Sequence, residues 1–224
     1  MENKVKVIIP ASGSGIRFGG KLPKQFLKIQ GIEILALTIK KFHVLKSVDE
    51  IVIAAKTDFF NRISRIIKKY DFYKVKKIVE GGNMRQISVL NALKSLDCAK
   101  KDIVLVHDAV RPFITVNKIK EIITAAVKEK CVVPCLSLTD TVKIVNPENY
   151  IVKTIDRDNL RIVQTPQAFI YEILLNSFEN AVKKNFIGTD EASVVEFAGY
   201  KIKIIDGEIK NTKVTSKEDL KNIS

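Results

Sequence analysis

Cysteine, histidine and arginine are all scarce in this 224-residue chain, and each scarcity closes off a chemistry. The three cysteines, Cys98, Cys131 and Cys135, are too few and odd in number for a disulfide framework, which points to a reducing compartment. Cys131 and Cys135 frame the apolar stretch CVVPC, and His43 and His107 are the only histidines, so a zinc site is not expected. Those cysteines read instead as small buried hydrophobes. No apolar run approaches the roughly eighteen residues that a membrane span needs. MENK passes straight into a strand-like run without the marks of a signal peptide. A cytoplasmic protein with no membrane partner is expected.

The formal net charge of +13 raises the question of a nucleic-acid partner. Such a partner is not expected. The cations are 31 lysines against 7 arginines, and the lysines scatter along helix-like segments. The aromatics Phe42, Phe60 and Tyr70 fall on the apolar faces of those segments rather than among exposed cations. The scarce arginines carry more information, because a planar guanidinium clamps phosphate well. Arg17, Arg85, Arg111 and Arg157 each fall within a motif.

What is present is an alternation. Strand-like runs at Val5–Pro10, Glu50–Ala55, Val75–Glu80, Ile103–His107 and Cys131–Leu136 are separated by helix-like runs at 33–46, 57–71, 84–96 and 115–129. The strands read as continuous apolar stretches rather than alternating ones, as in a parallel sheet covered on both faces. This order predicts an α/β fold with an open, mostly parallel sheet flanked by helices, and ligands at the carboxyl ends of its strands. After residue 138 the rhythm changes, and 139–158 reads as a β-hairpin around Asn146-Pro147-Glu148-Asn149. A lone hairpin is marginal, so this one is expected to pack on a partner. Helices follow at 171–184 and 190–198, then a strand in YKIKIID and a terminal helix in TSKEDLKNIS. The expected organisation is one domain over 1–224 with 139–158 as an arm.

The segment after the first strand, PASGSGIRFGGKLPKQF, concentrates four glycines and three cations. It fails as a dinucleotide fingerprint, because Phe18 stands where the third glycine belongs. It fails as a Walker A loop too: Leu22 replaces the magnesium-binding hydroxyl and Pro23 interrupts the helix. Small residues at Ala11, Ser12, Gly13 and Gly15 would let backbone N–H groups approach a triphosphate, with Arg17 and Lys24 supplying charge. EGGNMRQISVLNAL is a second glycine turn opening a helix, with Gly81 and Gly82 in the turn and Arg85 and Ser88 on the first helical turn. In VHDAVRPF, Asp108 ends a strand, where it is placed to hold Mg²⁺ between phosphates, and Arg111 could take a second phosphate. His107 reads as core rather than base. Thr141, Arg157 and Thr165 come from DTVK, DRDNL and QTPQAF, and Lys213 from DGEIKNTKVT. Thr189, before Asp190 and Glu191, reads as a helix N-cap.

Taken together and in order, PA-x-G-x-G-x-R, PKQF, GG-x-x-R-x-x-S-V, HDA-x-RPF, TPQ-F, TDEAS and K-x-T resemble the 2-C-methyl-D-erythritol 4-phosphate cytidylyltransferases of non-mevalonate isoprenoid synthesis. The resemblance runs from Val5 to the terminal helix. It implies a Rossmann-like nucleotidyltransferase fold, CTP as substrate, Mg²⁺ or another divalent cation, and a homodimer whose arm reaches the partner's site. By motif, Ala11, Ser12, Gly13, Gly15, Gly82, Asn83, Arg85, Ser88 and Ala109 would bind the nucleotide. Arg17, Lys24 and Lys213 would neutralise the transition state. Asp108, Arg111, Thr165 and Thr189 would meet the polyol phosphate, joined by Thr141 and Arg157 from the other subunit. Two positions depart from the family pattern: Ser12 stands where a second alanine is usual, and Asn83 where aspartate is frequent. A ribitol 5-phosphate cytidylyltransferase shares the first loop and HDAVRPF, and a sugar-1-phosphate nucleotidyltransferase shares the fold. Outside enzymes, the alternatives are a nucleotide sensor and a nucleic-acid-binding protein.

Overall fold

A computed structural model describes residues 3–13, 22–215 and 219. The strands are β1 Val5–Pro10, β2 Lys28–Ile29, β3 Ile32–Glu33, β4 Glu50–Ala55, β5 Val75–Glu80, β6 Ile103–Val106 and β7 Cys131–Ser137, followed by β8 Val142–Val145, β9 Ile151–Ile155, β10 Arg161–Val163, β11 Gln167–Ile170 and β12 Lys203–Asp206. The helices are α1 Ile34–His43, α2 Phe60–Lys69, α3 Arg85–Ser95, α4 Val116–Glu129, α5 Tyr171–Lys183 and α6 Glu191–Phe197. The expected terminal helix falls almost wholly outside the described residues.

The main sheet has the order β10-β7-β11-β6-β1-β4-β5, with β12 alongside β7. Strand β1 lies parallel between β4 and β6, and β5 lies parallel to β4. The run VKVII is buried because both faces of the sheet are covered. Val7 and Ile9 join Leu35, Ile39 and Phe42 of α1 and Ile119 and Ile122 of α4 on one face. Ile8 joins Val89 and Leu93 of α3 and Phe178 of α5 on the other. Period-two alternation thus feeds two apolar layers at once, and the continuous hydrophobic run follows. Edge strand β5 departs from that reading. Its pattern is half exposed and carries Lys76 and Lys77, a composition that discourages pairing with another chain.

Four strands were not foreseen: β2 and β3, which pair only with each other, and two strands of the main sheet. Strand β11 runs antiparallel between β6 and β7, and β10 runs antiparallel to the outer edge of β7. The predicted hairpin is present as β8 and β9, which pair only with each other. Its turn is held by the Asn146 side chain, which accepts from the Tyr150 N–H at 2.8 Å, and Asn149 takes a left-handed φ of 65°. The arm strands are exposed along nearly their whole length.

The cysteines are free, as expected. Burial pushes the Cys98 thiol up to about 12 and the Cys131 thiol up to about 11, so neither offers a thiolate at neutral pH. No helix among the described residues is long and apolar enough to cross a membrane.

Candidate active site

At the carboxyl ends of β1, β4, β5 and β6 lies a cleft of about 650 Å³. Three loops build it. The first continues β1 through Ala11, Ser12 and Gly13. Gln25 anchors this loop: its Nε2 donates to the Ala11 carbonyl at 2.7 Å and to the Gly13 carbonyl at 3.3 Å. Gln25 belongs to a 3-10 turn, Lys24–Phe26, placed by Pro23. That turn brings Lys24 to the cleft wall.

The second loop follows β5 and supplies Gly82, Asn83, Arg85 and Ser88. Its glycines answer to crowding within the protein. A Cβ on Gly81 would stand 1.8 Å from Ser12 Oγ, and one on Gly82 would stand 2.3 Å from Ile87 Cγ2. Gly81 therefore lets the two loops touch. The serine that departs from the family pattern has a defined place: Ser12 Oγ donates to the Ala54 carbonyl at 3.1 Å and meets Ser88 Oγ at 3.2 Å.

The third loop follows β6 and presents Asp108, Ala109 and Val110. Asp108 is surrounded by cations. Lys213 Nζ lies 2.9 Å from Oδ2, Arg111 Nε 3.4 Å from Oδ2, and Arg85 Nη2 3.2 Å from Oδ1. Burial works to raise the Asp108 pKa, but Arg85, Lys213 and Arg111 outweigh it and hold the carboxyl far below its usual range. Lys213 reaches Asp108 because its segment is clamped to the sheet. The Val214 N–H donates to the Val110 carbonyl at 2.9 Å, Asn211 Nδ2 to the Thr165 carbonyl at 2.8 Å, and Arg111 Nη1 to the Asn211 carbonyl at 2.8 Å.

Behind Asp108, His107 and Thr165 form a buried relay that orients the loop. The Arg111 carbonyl, 2.9 Å from His107 Nε2, can only accept, so that nitrogen carries the proton. Nδ1 then accepts from the Thr165 hydroxyl at 3.0 Å, and that hydroxyl accepts from the Asp108 N–H at 3.1 Å. Burial lowers the His107 pKa to about 4, against an ordinary value of 6.5. With both nitrogens engaged and the ring fully buried, His107 has no access to a substrate proton. The folded state refuses a proton that the unfolded chain accepts. Stability from this group is therefore complete above about pH 6.5 and drains away as pH falls toward about 4. His107→Gln, which keeps a donor toward Arg111, should flatten that part of the slope. Urea midpoints from pH 7.5 down to 4.5 check this, with His43, also lowered by burial, as the residual histidine contribution.

Thirteen of the foreseen site residues fall among the described residues that line the cleft or flank it. Ala11, Ser12, Gly13, Lys24, Gly82, Asn83, Arg85, Ser88, Asp108, Ala109 and Lys213 line it, while Arg111 and buried Thr165 brace Asp108 from behind. Thr141 and Arg157 are exposed on and beside the arm and do not line this cleft. Thr189 is exposed outside it as well, and its expected capping role is corrected. Asp190 is the N-cap of α6, accepting from the Ser193 N–H at 2.9 Å in a reciprocal capping box. Asp190 prevails because Gln167 Nε2 also donates to it at 2.7 Å. Gly15 and Arg17 lie outside the described residues. Lys56, just past β4, lines the cleft with no motif to announce it.

A doubly covered, mostly parallel sheet with small-residue loops and clustered cations at its carboxyl edge defines a nucleotide-binding α/β domain of the nucleotidyltransferase class. The chain belongs to the family described as IspD, 2-C-methyl-D-erythritol 4-phosphate cytidylyltransferase, whose model matches residues 5–223. It is 39% identical over 221 residues to the protein of that name from Dictyoglomus thermophilum, covering 97% of this chain and 94% of that one. To the Clostridioides difficile protein it is 42% identical over 217 residues, covering 96% and 90%. The crystal structure of the Francisella tularensis 2-C-methyl-D-erythritol 4-phosphate cytidylyltransferase superposes with a TM-score of 0.84 at 33% identity, covering 98% of each chain.

Proposed function

We propose that the chain condenses CTP with 2-C-methyl-D-erythritol 4-phosphate, giving 4-diphosphocytidyl-2-C-methyl-D-erythritol and pyrophosphate. The observation that carries this reading is the cleft itself. Two small-residue loops face Lys24, Lys213 and Arg85, with Asp108 at the strand end between them. A phosphate oxygen of the polyol phosphate attacks the α-phosphorus of CTP, the new P–O bond forms, and the bond to pyrophosphate breaks in line. A phosphate dianion needs no general base, in keeping with a His107 that is neutral and fully engaged. Lys24, Lys213 and Arg17 act by position and charge on the crowded phosphate oxygens.

Asp108 is the carboxylate that lines the cleft, and no group of three or more His, Cys, Asp or Glu among the described residues could hold a metal. That donor set fits Mg²⁺, which is bound through one or two carboxylates together with substrate phosphates. A carboxylate has about four lone-pair sites, so three cationic contacts leave Asp108 room for a metal. Bound there, Mg²⁺ would supply charge neutralisation at the phosphate oxygens.

The arm is read as a dimer element within a single domain. Tyr150, Ile151 and Val152 of the arm are 72%, 65% and 64% exposed, and Ile162 and Val163 of β10 are exposed as well. A second copy of the chain would cover them and would receive Thr141 and Arg157 in its cleft. The cytoplasm is the compartment that suits free thiols and these substrates.

The test is pyrophosphate release from CTP and Mg²⁺ with 2-C-methyl-D-erythritol 4-phosphate and ribitol 5-phosphate offered separately. Release with the first alone supports the reading. Release with the second alone moves the same chemistry to another polyol, and release with neither ends the enzymatic reading. For the shared site, inactive Lys24→Ala and Arg157→Ala subunits are mixed and allowed to exchange. Mixed dimers keep one intact site, so activity should return to about a quarter of wild type. No recovery after demonstrated exchange would place Arg157 in its own subunit's site, and an Arg157→Ala that is active alone would place it outside catalysis.

A further inference from the structure

Glu191, the first residue of α6, is fully buried and does not line the cleft. A buried carboxylate is costly unless it is paired. Its partner is Arg85, whose Nη1 contacts Oε1 and whose Nη2 lies 3.1 Å from Oε2. The planar fork fits this bidentate contact. The same Nη2 lies 3.2 Å from Asp108 Oδ1, so one nitrogen bridges a buried acid and the acid of the cleft.

Glu191 is itself held from both sides. Gln167, on β11, donates to Asp190 and accepts from the Ala192 N–H at 2.8 Å, which ties the start of α6 to the sheet. Gln86, beside Arg85, donates to the Phe186 carbonyl at 3.0 Å and accepts from the Gly188 N–H at 2.9 Å, which ties α3 to the segment before α6. Neither Gln86 nor Gln167 lines the cleft, and the two clamps fix the elements that carry Arg85 and Glu191. Charge leads to the same place. Asp108 meets Arg85, Arg111 and Lys213, and without Glu191 nothing in the described contacts draws Arg85 away from a full fork on Asp108.

Resting on the cytidylyltransferase reading, we infer that Glu191 is a positioning residue for the reaction. It holds Arg85 at the cleft wall in a fixed rotamer and limits its grip on Asp108, leaving that carboxylate free to serve the phosphates. A purely structural ion pair between α6 and α3 would lower the melting temperature of a variant and leave the chemistry of its folded fraction untouched. A positioning role predicts more. In Glu191→Gln, kcat should fall roughly tenfold or more, the scale of a small misplacement of a reacting group, with a smaller change in the KM for CTP. Because the residue acts through Arg85, the double variant with Arg85→Gln should be no slower than Arg85→Gln alone.

Wild-type turnover is the control that separates this inference from the functional reading. A wild type that turns over alongside a folded Glu191→Gln of equal kcat overturns the inference alone, and so do losses that multiply in the double variant. Should Glu191→Gln fail to fold, Arg85→Lys keeps the charge and loses the fork. It should show the same drop in kcat, and unchanged kcat there overturns the inference. One readout needs no turnover: the Arg85 guanidinium N–H resonances should show slow exchange in the wild type and averaging in Glu191→Gln. Averaged resonances in the wild type would end the positioning role, whatever the reaction proves to be.

Discussion

Lys24→Ala is expected to lower kcat for pyrophosphate release by about 10²–10³, the usual cost of removing one preorganised charge at a transition state. The variant should remain folded. The Lys24–Phe26 turn is fixed by its neighbours: Phe26 is 2% exposed in the core, Gln25 is 4% exposed, and the Phe26 N–H donates to the Pro23 carbonyl at 3.0 Å. None of these contacts uses the lysine side chain, so alanine removes charge and leaves the backbone path intact. The Gln25 anchor on the first loop also survives, which keeps the nucleotide cradle in place. Single-turnover kinetics with saturating CTP, alongside a melting curve, would check the result. Turnover within tenfold of wild type would remove Lys24 from the chemistry.

Asp108→Asn should be at least as severe, for a different reason. The substitution preserves shape and removes the charge that three cations share. We expect kcat to fall by about 10³ or more, because the cleft loses the carboxylate proposed to hold Mg²⁺. The KM for CTP should not rise, since the cleft becomes more positive toward a polyanion. Stability should drop by about 3 kcal/mol, as when one partner of a buried pair is removed. The pH dependence gives this an internal check. The folded-state pKa of Asp108 is depressed, so its contribution is present above the ordinary carboxylate value and is lost as pH falls through the folded one. The stability gap between wild type and Asp108→Asn should therefore begin to narrow below about pH 4 and keep narrowing as the pH falls toward the folded value. A gap that does not narrow at all would mean that the amide disturbs packing rather than charge.

Much of this architecture was readable before any coordinates. Continuous apolar runs located β1, β4, β6 and β7, because strands covered on both faces are apolar at nearly every position, the buried Lys6–Glu50 pair of β1 and β4 excepted. The second glycine turn was readable because the chain has no room for a side chain there, and Asp108 because it follows a strand at the sheet's carboxyl edge. What escaped was long-range. Strand β11 is only Gln167–Ile170, and its place is set by neighbours far away in the chain, not by its own pattern. The pairing of Arg85 with Glu191 spans 106 positions, and Thr165 meets His107 across 58. No local periodicity encodes either. The Thr189 reading failed on a local ambiguity: threonine and aspartate both cap helices, and the choice went to the residue that Gln167 also engages. Lys56 carried no signal at all among 31 lysines.

The position of β11 has a bearing on how the chain comes to be made. Strands β6 and β7 never pair with each other; each pairs with β11 on either side. Until residue 170 has left the ribosome, no strand pairing of the finished sheet joins β6-β1-β4-β5 to β7. The open side of β6 is then a fully apolar edge, IVLV, of the kind that recruits stray strands. Vectorial synthesis thus delivers the keystone late, after the arm and after three quarters of the chain. The half-made protein must stay soluble through that interval, when its centre is still an edge.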